Sequence, residues 1–192
     1  MLPIVLDVAR LDIALIGDGA AAEKRLTLLD DAAAARLRVY APSPSAAFTA
    51  ASGERLVRRL PEGVELAAAR LVFIADRAAP YAAAVAARAR AAGALVHIED
   101  DAAQTDFHLP AVLRRGDLTI AVSTGGGSPT LAVRVRRALA DLFGPEWQGR
   151  TDEIAKLRRE WRDAGADAEA LKHRTENWIE RQRWLPEPSS RS

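Results

Sequence analysis

The sequence contains no cysteine. Disulfides, thiolate metal centres and a cysteine nucleophile are therefore excluded, and the composition suits a reducing compartment. Long hydrophobic runs are missing as well. No uninterrupted apolar stretch approaches the roughly 20 residues needed to cross a bilayer, and the opening MLPIVLDVARLD reaches acidic residues too soon for a signal peptide. A soluble, cytoplasmic protein is expected, with no membrane partner.

There is little net charge. The formal balance is +1, made of a slightly acidic first part and a slightly basic part from residue 111 onward. So mild a bias does not suggest a nucleic-acid partner. The 3 histidines are scattered, and with no cysteine beside them a dedicated metal site is not expected. No internal repeat is present.

What is there reads as an α/β protein. Residues 13–16 (IALI) form a short apolar run ending in Gly-Asp-Gly, followed by an alanine-rich helical stretch to about Leu29. Further strands are expected at 37–40, 71–74, 95–98 and 118–122, with helices over 45–52, 80–92 and 129–142. Arginine-rich residues 56–60 read as a connection. Short apolar strands alternating with helices predict a Rossmann-like, mostly parallel sheet. Beyond Gly144-Pro145 the chain becomes charged and helical, with amphipathic patterns over 151–163 and 167–184 and a frayed end over 186–192.

Gly17-Asp18-Gly19-Ala20-Ala21-Ala22 fits G-x-G-x-x-A between strand and helix. Gly17 permits the turn, Gly19 the approach of a pyrophosphate, and Ala22 close packing of helix on strand. Gly17, Asp18, Gly19, Ala20 and Ala21, with Ala41 and Pro42 after the second strand and Ala75 and Asp76 after the third, are the candidate cofactor contacts. A merely structural turn is the competing reading. Asp18 would repel a pyrophosphate if it pointed inward, and Tyr40-Ala41-Pro42-Ser43 lacks the acid that usually grips the adenine ribose.

Several segments together resemble the precorrin-2 dehydrogenase and sirohydrochlorin ferrochelatase family, the N-terminal portion of sirohaem synthase. These are the opening LPIVLDVARLDIALIGDG, then His97-Ile98-Glu99-Asp100, Phe107-His108-Leu109-Pro110-Ala111, and Ser123-Thr124-Gly125-Gly126-Gly127-Ser128-Pro129-Thr130-Leu131-Ala132. The resemblance covers about residues 2–143. It implies NAD-dependent oxidation of precorrin-2 to sirohydrochlorin, with iron insertion in some members. It also implies a homodimer with an NAD-binding Rossmann-like domain over 1–110, a dimerisation region over 111–147 and a small helical C-terminal domain over 148–192.

The family's key aspartate falls on Asp100, the candidate catalytic residue, which could take a proton or stabilise developing charge. A helix cap or turn is its bland alternative. His97, Ser123, Thr124, Gly125, Gly126, Ser128, Arg134 and Arg137 are the candidate contacts to the polycarboxylate substrate. A packed histidine, a capped helix start and a solvated helix face are the structural readings of the same residues. Trp147, Trp161, Trp178 and Trp184 could line a flat pocket or form a small core, the second being preferred. The chain departs from the family at His97 (asparagine there), at Ala75-Asp76-Arg77 and at Asp18 (glycine there). Those departures keep two other readings in play: a non-catalytic dimeric dinucleotide- or tetrapyrrole-binding protein, and a chelatase without dehydrogenase activity.

Overall fold

The computed structural model describes residues 1–76 and 78–185. The chain divides into two compact units, Met1–Leu109 and the residues from Pro110 onward, each described by itself.

In the first unit, five strands lie side by side: β1 (Asp12–Ile16), β2 (Arg36–Tyr40), β3 (Leu56–Val57), β4 (Leu71–Ile74) and β5 (Leu95–Ile98). Their order is β3-β2-β1-β4-β5, and every pairing is parallel. Strands covered on both faces need apolar side chains pointing both ways. Ala14, Ile16, Val72, Ile74, Val96 and Ile98 face one core, and Ile13, Leu15, Leu37, Val39, Leu71 and Phe73 face the other.

Helix α1 (Gly19–Asp31) covers the second face through Ala22, Leu26 and Leu29, a helical spacing of four and three. Helix α4 (Ala82–Ala91) covers the first through Ala82, Val85, Ala86 and Ala89, after the short α2 (Ala46–Ser52) and α3 (Gly63–Ala68). Helices on opposite faces make a doubly wound sheet that reverses direction between β1 and β4, and the crevice at their carboxyl ends is where such folds bind ligands.

β5 is an edge strand, and residues after it fold back over the edge. Asp106 Oδ2 accepts from Val96 N–H at 2.8 Å, and Thr105 Oγ1 accepts from Ile98 N–H at 3.0 Å. Side chains thus pair with an edge that would otherwise be open.

The second unit holds a separate ribbon, β6 (Ala111–Arg115) paired antiparallel with β7 (Leu118–Val122). The expectation that 118–122 joins the parallel sheet is corrected here. Its alternation Leu-Thr-Ile-Ala-Val is that of a half-covered antiparallel strand, partly buried and exposed in turn. Helix α5 (Pro129–Leu142) follows, then α6 (Trp147–Asp163) and α7 (Ala168–Gln182). Residues 56–57, read as connection, are β3, because Leu56 and Val57 pair with Val39 and Tyr40. Residues 186–192, expected to fray, lie outside the described residues.

Candidate functional site

The strand ends of the first unit are locked in line by bonds running one residue past each strand. Gly17 N–H donates to Tyr40 O at 3.0 Å, Ala75 N–H to Ile16 O at 2.9 Å, and Glu99 N–H to Ile74 O at 2.9 Å. Gly17, Ala41, Ala75 and Glu99 thereby mark one edge.

Gly17 turns the chain at φ +121, and a Cβ there would come within 3.2 Å of Ala75 Cβ. Gly19 opens α1 at φ +81, and a Cβ there would meet nothing within 4 Å. Ala22 is fully buried, holding α1 against the sheet. No side chain caps the start of α1. The geometry is that of an anion cradle: open space above Gly19, and amides at the head of a helix whose dipole favours negative charge. The site therefore fits a dinucleotide pyrophosphate, with Gly17, Gly19, Ala20 and Ala21 placed to hold it.

Asp18 occupies the capping position of α1 without capping it. Its Oδ2 instead accepts from Ser45 N–H at 2.8 Å, so the carboxylate is turned to the loop between β2 and α2. Its Oδ1 is enclosed and makes no hydrogen bond. In that loop Ala41 is buried and Pro42 exposed. Beneath it, burial and then the charge of Glu65 push the Tyr40 phenol up to about 12. Past β4, Asp76 Oδ1 accepts from Ala78 N–H at 2.9 Å, and burial followed by the nearby charges of Asp76 and Asp18 raises the Tyr81 phenol.

The acids around Asp100 separate into different roles. Glu99 is largely but not fully covered and pairs with α1, its Oε2 lying 2.6 Å from Arg25 Nη2. Asp101 closes a turn, Oδ1 accepting from Gln104 N–H at 3.1 Å. Asp106 covers the β5 edge and meets Arg90 Nε at 3.0 Å. Asp100 is exposed just past β5 and holds a left-handed backbone, φ +55. Such strained non-glycine residues cluster at functional sites.

His97 is buried among Phe73 and Phe107. Its Nδ1 lies 3.1 Å from Phe107 O, and its Nε2 lies 3.6 Å from Glu99 Oε2. Burial chiefly holds its pKa below the usual histidine value. The packed reading describes this residue, in contact with Glu99 beside Asp100.

Sequence reasoning missed Arg25. The signal was an arginine on the same face of α1 as Ala22 and Leu29, where burial reaches 9% exposure. A charge on a core-facing position announces a buried partner.

The remaining candidates lie in the second unit. Thr124 Oγ1 accepts from Ser128 N–H at 3.0 Å, and Ser128 Oγ accepts from Leu131 N–H at 3.2 Å, capping α5. Ser123 Oγ accepts from Gly125 N–H at 3.2 Å, and Gly125 and Gly126 both take positive φ. Arg134 and Arg137 are exposed on α5, three residues apart and so on one face. Trp147 packs on Phe143 and Trp184, with Arg150 stacked 4.9 Å over its ring. All four tryptophans are half-buried, and Trp147 and Trp184, which touch each other, also line a cavity of about 570 Å³.

Among the described residues no group of three or more histidines and acids is placed to hold a metal ion. No described helix is long and apolar enough to cross a membrane.

Residues 4–111 match the family described as "Putative NAD(P)-binding". The chain belongs to this NAD(P)-binding family. Residues 115–142 match a second family, "Sirohaem biosynthesis protein central". This member of the NAD(P)-binding family is 32% identical over 182 residues to a siroheme synthase of Methylococcus capsulatus, covering 93% of this chain and 38% of that protein. It is 36% identical over 170 residues to the siroheme synthase of Chromobacterium violaceum, covering 84% of this chain and 34% of that protein. The chain thus spans well under half the length of these relatives. A solved precorrin-2 dehydrogenase, SirC, superposes with a TM-score of 0.76 at 21% identity, covering 97% of this chain and 93% of that one. The likeness establishes the shared fold.

Proposed function

We propose that this chain is an NAD⁺-dependent dehydrogenase that oxidises precorrin-2 to sirohydrochlorin in sirohaem biosynthesis. One observation carries the reading: the NAD(P)-binding unit and the sirohaem central segment occur in one chain, and the first unit presents Asp100 at the carboxyl end of its sheet. Relatives called siroheme synthase at about a third of identical residues support it.

The oxidation removes a hydride and a proton from the macrocycle, and bound NAD⁺ supplies the hydride acceptor, leaving NADH. The amides of Gly19, Ala20 and Ala21 and the turn at Gly17 would hold the pyrophosphate. Ala41 and Pro42 would contribute on the adenosine side, and Ala75 and Asp76 on the other half of the dinucleotide. Asp100 takes the proton or stabilises positive charge as the hydride leaves. His97 fixes the end of β5 beside it. Ser123, Thr124, Gly125, Gly126 and Ser128, with Arg134 and Arg137, receive the substrate's carboxylates, for which guanidinium forks are suited. A cytoplasmic homodimer formed through residues 111–147 is part of the proposal.

The test is direct. Protein mixed with precorrin-2 and NAD⁺ should yield the sirohydrochlorin spectrum with one NADH per product. Binding without turnover would favour a non-catalytic tetrapyrrole-binding protein, and metal insertion alone would favour a chelatase. Sedimentation at micromolar concentration should give a dimer.

A further inference from the structure

We propose that the helical part of the second unit holds a binding site for an aromatic anion, a ring system bearing a carboxylate. The site is distinct from the loop before α5 and does not depend on the reaction proposed above.

The site is the cavity of about 570 Å³ where α6 and α7 meet, a volume within the range of small-molecule sites. One face of α6 lines it, with Trp147, Thr151, Ile154, Arg158 and Arg162 recurring every three or four residues. Ile179 of α7, then Trp184 and Leu185, close the other side. Ala155 carries a single methyl where its neighbours carry long side chains, and that leaves the hollow. Asp117, in the turn between β6 and β7, borders the same cavity. The Ser123–Ser128 loop begins at the far end of β7, a strand of 5 residues and about 17 Å. The cavity is therefore separate from the loop assigned to the substrate's carboxylates.

Its charge points to an anion. Arg150, Arg158, Arg159 and Arg162 line the cavity against a single acid, Asp117. Arg158 and Arg162 are four residues apart on one helix, a spacing at which like charges destabilise it. Arg159 and Arg162 are exposed, and among the described residues neither pairs with an acid. Arg158 is fixed by its Nη1, which donates to Thr175 Oγ1 at 2.8 Å, and its Nε and Nη2 keep their donors. The apolar body is indicated just as directly. The Arg150 guanidinium lies 4.9 Å from the Trp147 ring centre and 5.6 Å from that of Trp184, so a cation and two indoles already form one surface. Aromatic rings pack on indoles and on guanidinium planes alike, and guanidinium forks take carboxylates. A neutral apolar ligand would leave the arginines unanswered, and an inorganic anion would leave the indoles uncovered.

The experiment titrates the whole chain with two fluorescent probes, anilinonaphthalene sulfonate and its uncharged parent phenylnaphthylamine, which lacks only the sulfonate. Binding is read by probe emission and by quenching of the indoles, all 4 of which lie from residue 147 onward. The sulfonate should bind the wild type at least about tenfold more tightly than the neutral probe. Arg159→Gln combined with Arg162→Gln alters exposed positions only, and it should remove that preference while leaving the neutral probe's affinity unchanged. Ala155→Phe fills the hollow and should weaken both probes. Circular dichroism checks that each variant is folded. Equal affinity for the two probes in the wild type overturns the anion assignment. Sulfonate binding that survives the double arginine variant, or an absence of sulfonate binding to the wild type, overturns the site.

Discussion

Arg25 and Glu99 form a buried ion pair that ties α1 to the end of β5. Arg25 Nε and Nη2 lie 2.7 and 2.6 Å from the same carboxylate oxygen, Oε2, and each side chain is 11% exposed. Lys24 Nζ approaches the other oxygen at 3.8 Å. The residue immediately before Asp100 is therefore anchored to the helix whose head forms the proposed pyrophosphate cradle. Breaking a buried pair strands the surviving charge, at a cost of about 3–5 kcal/mol. Glu99→Gln should destabilise the first unit by that order, read as a lower urea midpoint at constant m-value. Arg25→Met combined with Glu99→Met should recover most of the loss, because a buried pair replaced by apolar residues is often near neutral. A double variant as unstable as Glu99→Gln would show that packing, and not the stranded charge, dominates.

His97 gives the protein a pH dependence whose sign is fixed by its burial. Burial lowers its folded pKa below that of the unfolded chain, so the unfolded state binds the proton more readily. Its stabilising contribution is complete above the unfolded histidine value of about 6.5 and is lost as pH falls below it. The melting temperature should drop between pH 7 and pH 5, and His97→Asn should flatten that limb. Glu65 acts in a separate window. The hydrogen bond from Arg59 chiefly lowers its pKa to about 2, so its contribution is present above the usual carboxylate value and fades only as pH falls toward 2. A limb unchanged by His97→Asn would assign the acid sensitivity elsewhere.

The two loop glycines should fail in different ways. At Gly19 the space beyond Cα is open, so the Cβ of Gly19→Val meets no neighbour within 4 Å. Its left-handed backbone still disfavours valine by about 1–2 kcal/mol, and the side chain stands where the pyrophosphate would lie. NAD⁺ affinity should fall at least about tenfold with a modest loss of stability. Gly17→Ala instead presses on Ala75 Cβ at 3.2 Å, between β1 and β4. It should lower stability more than its small volume suggests. Unchanged NAD⁺ affinity in a folded Gly19→Val variant would remove the loop from the site.

The parts of the fold that could be read in the sequence were those made by one stretch of chain. β1, β4 and β5 are runs of mostly buried apolar residues, with the exposed Asp12 and the buried His97 as their polar members, and α1 follows its glycine turn directly. β3 could not be read, because a strand of 2 residues exists only through its pairing with β2. The direction of Asp18 was equally hidden, since its partner Ser45 lies 27 residues away. Arg25 and Glu99, 74 residues apart, carried a signal only on the arginine's side. Local periodicity reports which side chains are buried, and it is silent on which distant group receives them.

Asp100 carries the most exposed prediction, and the structure sharpens the choice of variants. Asp100 holds φ +55, a conformation that asparagine tolerates as aspartate does and that most other residues resist. Asp100→Asn therefore keeps the turn, whereas Asp100→Ala would mix backbone strain with lost chemistry. If the carboxylate takes the proton or stabilises charge, Asp100→Asn should lower kcat for precorrin-2 oxidation by at least about 100-fold. KM should move little, because substrate affinity is assigned to Arg134, Arg137 and the loop before α5. NAD⁺ binding should be unchanged. Glu99→Gln is a poor control, since it strands Arg25. Asp101→Asn is the better one: it keeps an oxygen that can accept from Gln104 N–H and close the turn, so stability should change little, because asparagine caps about as well as aspartate, and the chemistry is left intact. Turnover near the parent rate in Asp100→Asn would refute the catalytic assignment. A large kcat loss in Asp101→Asn with little loss in Asp100→Asn would move the reacting carboxylate one residue along the chain, into the turn.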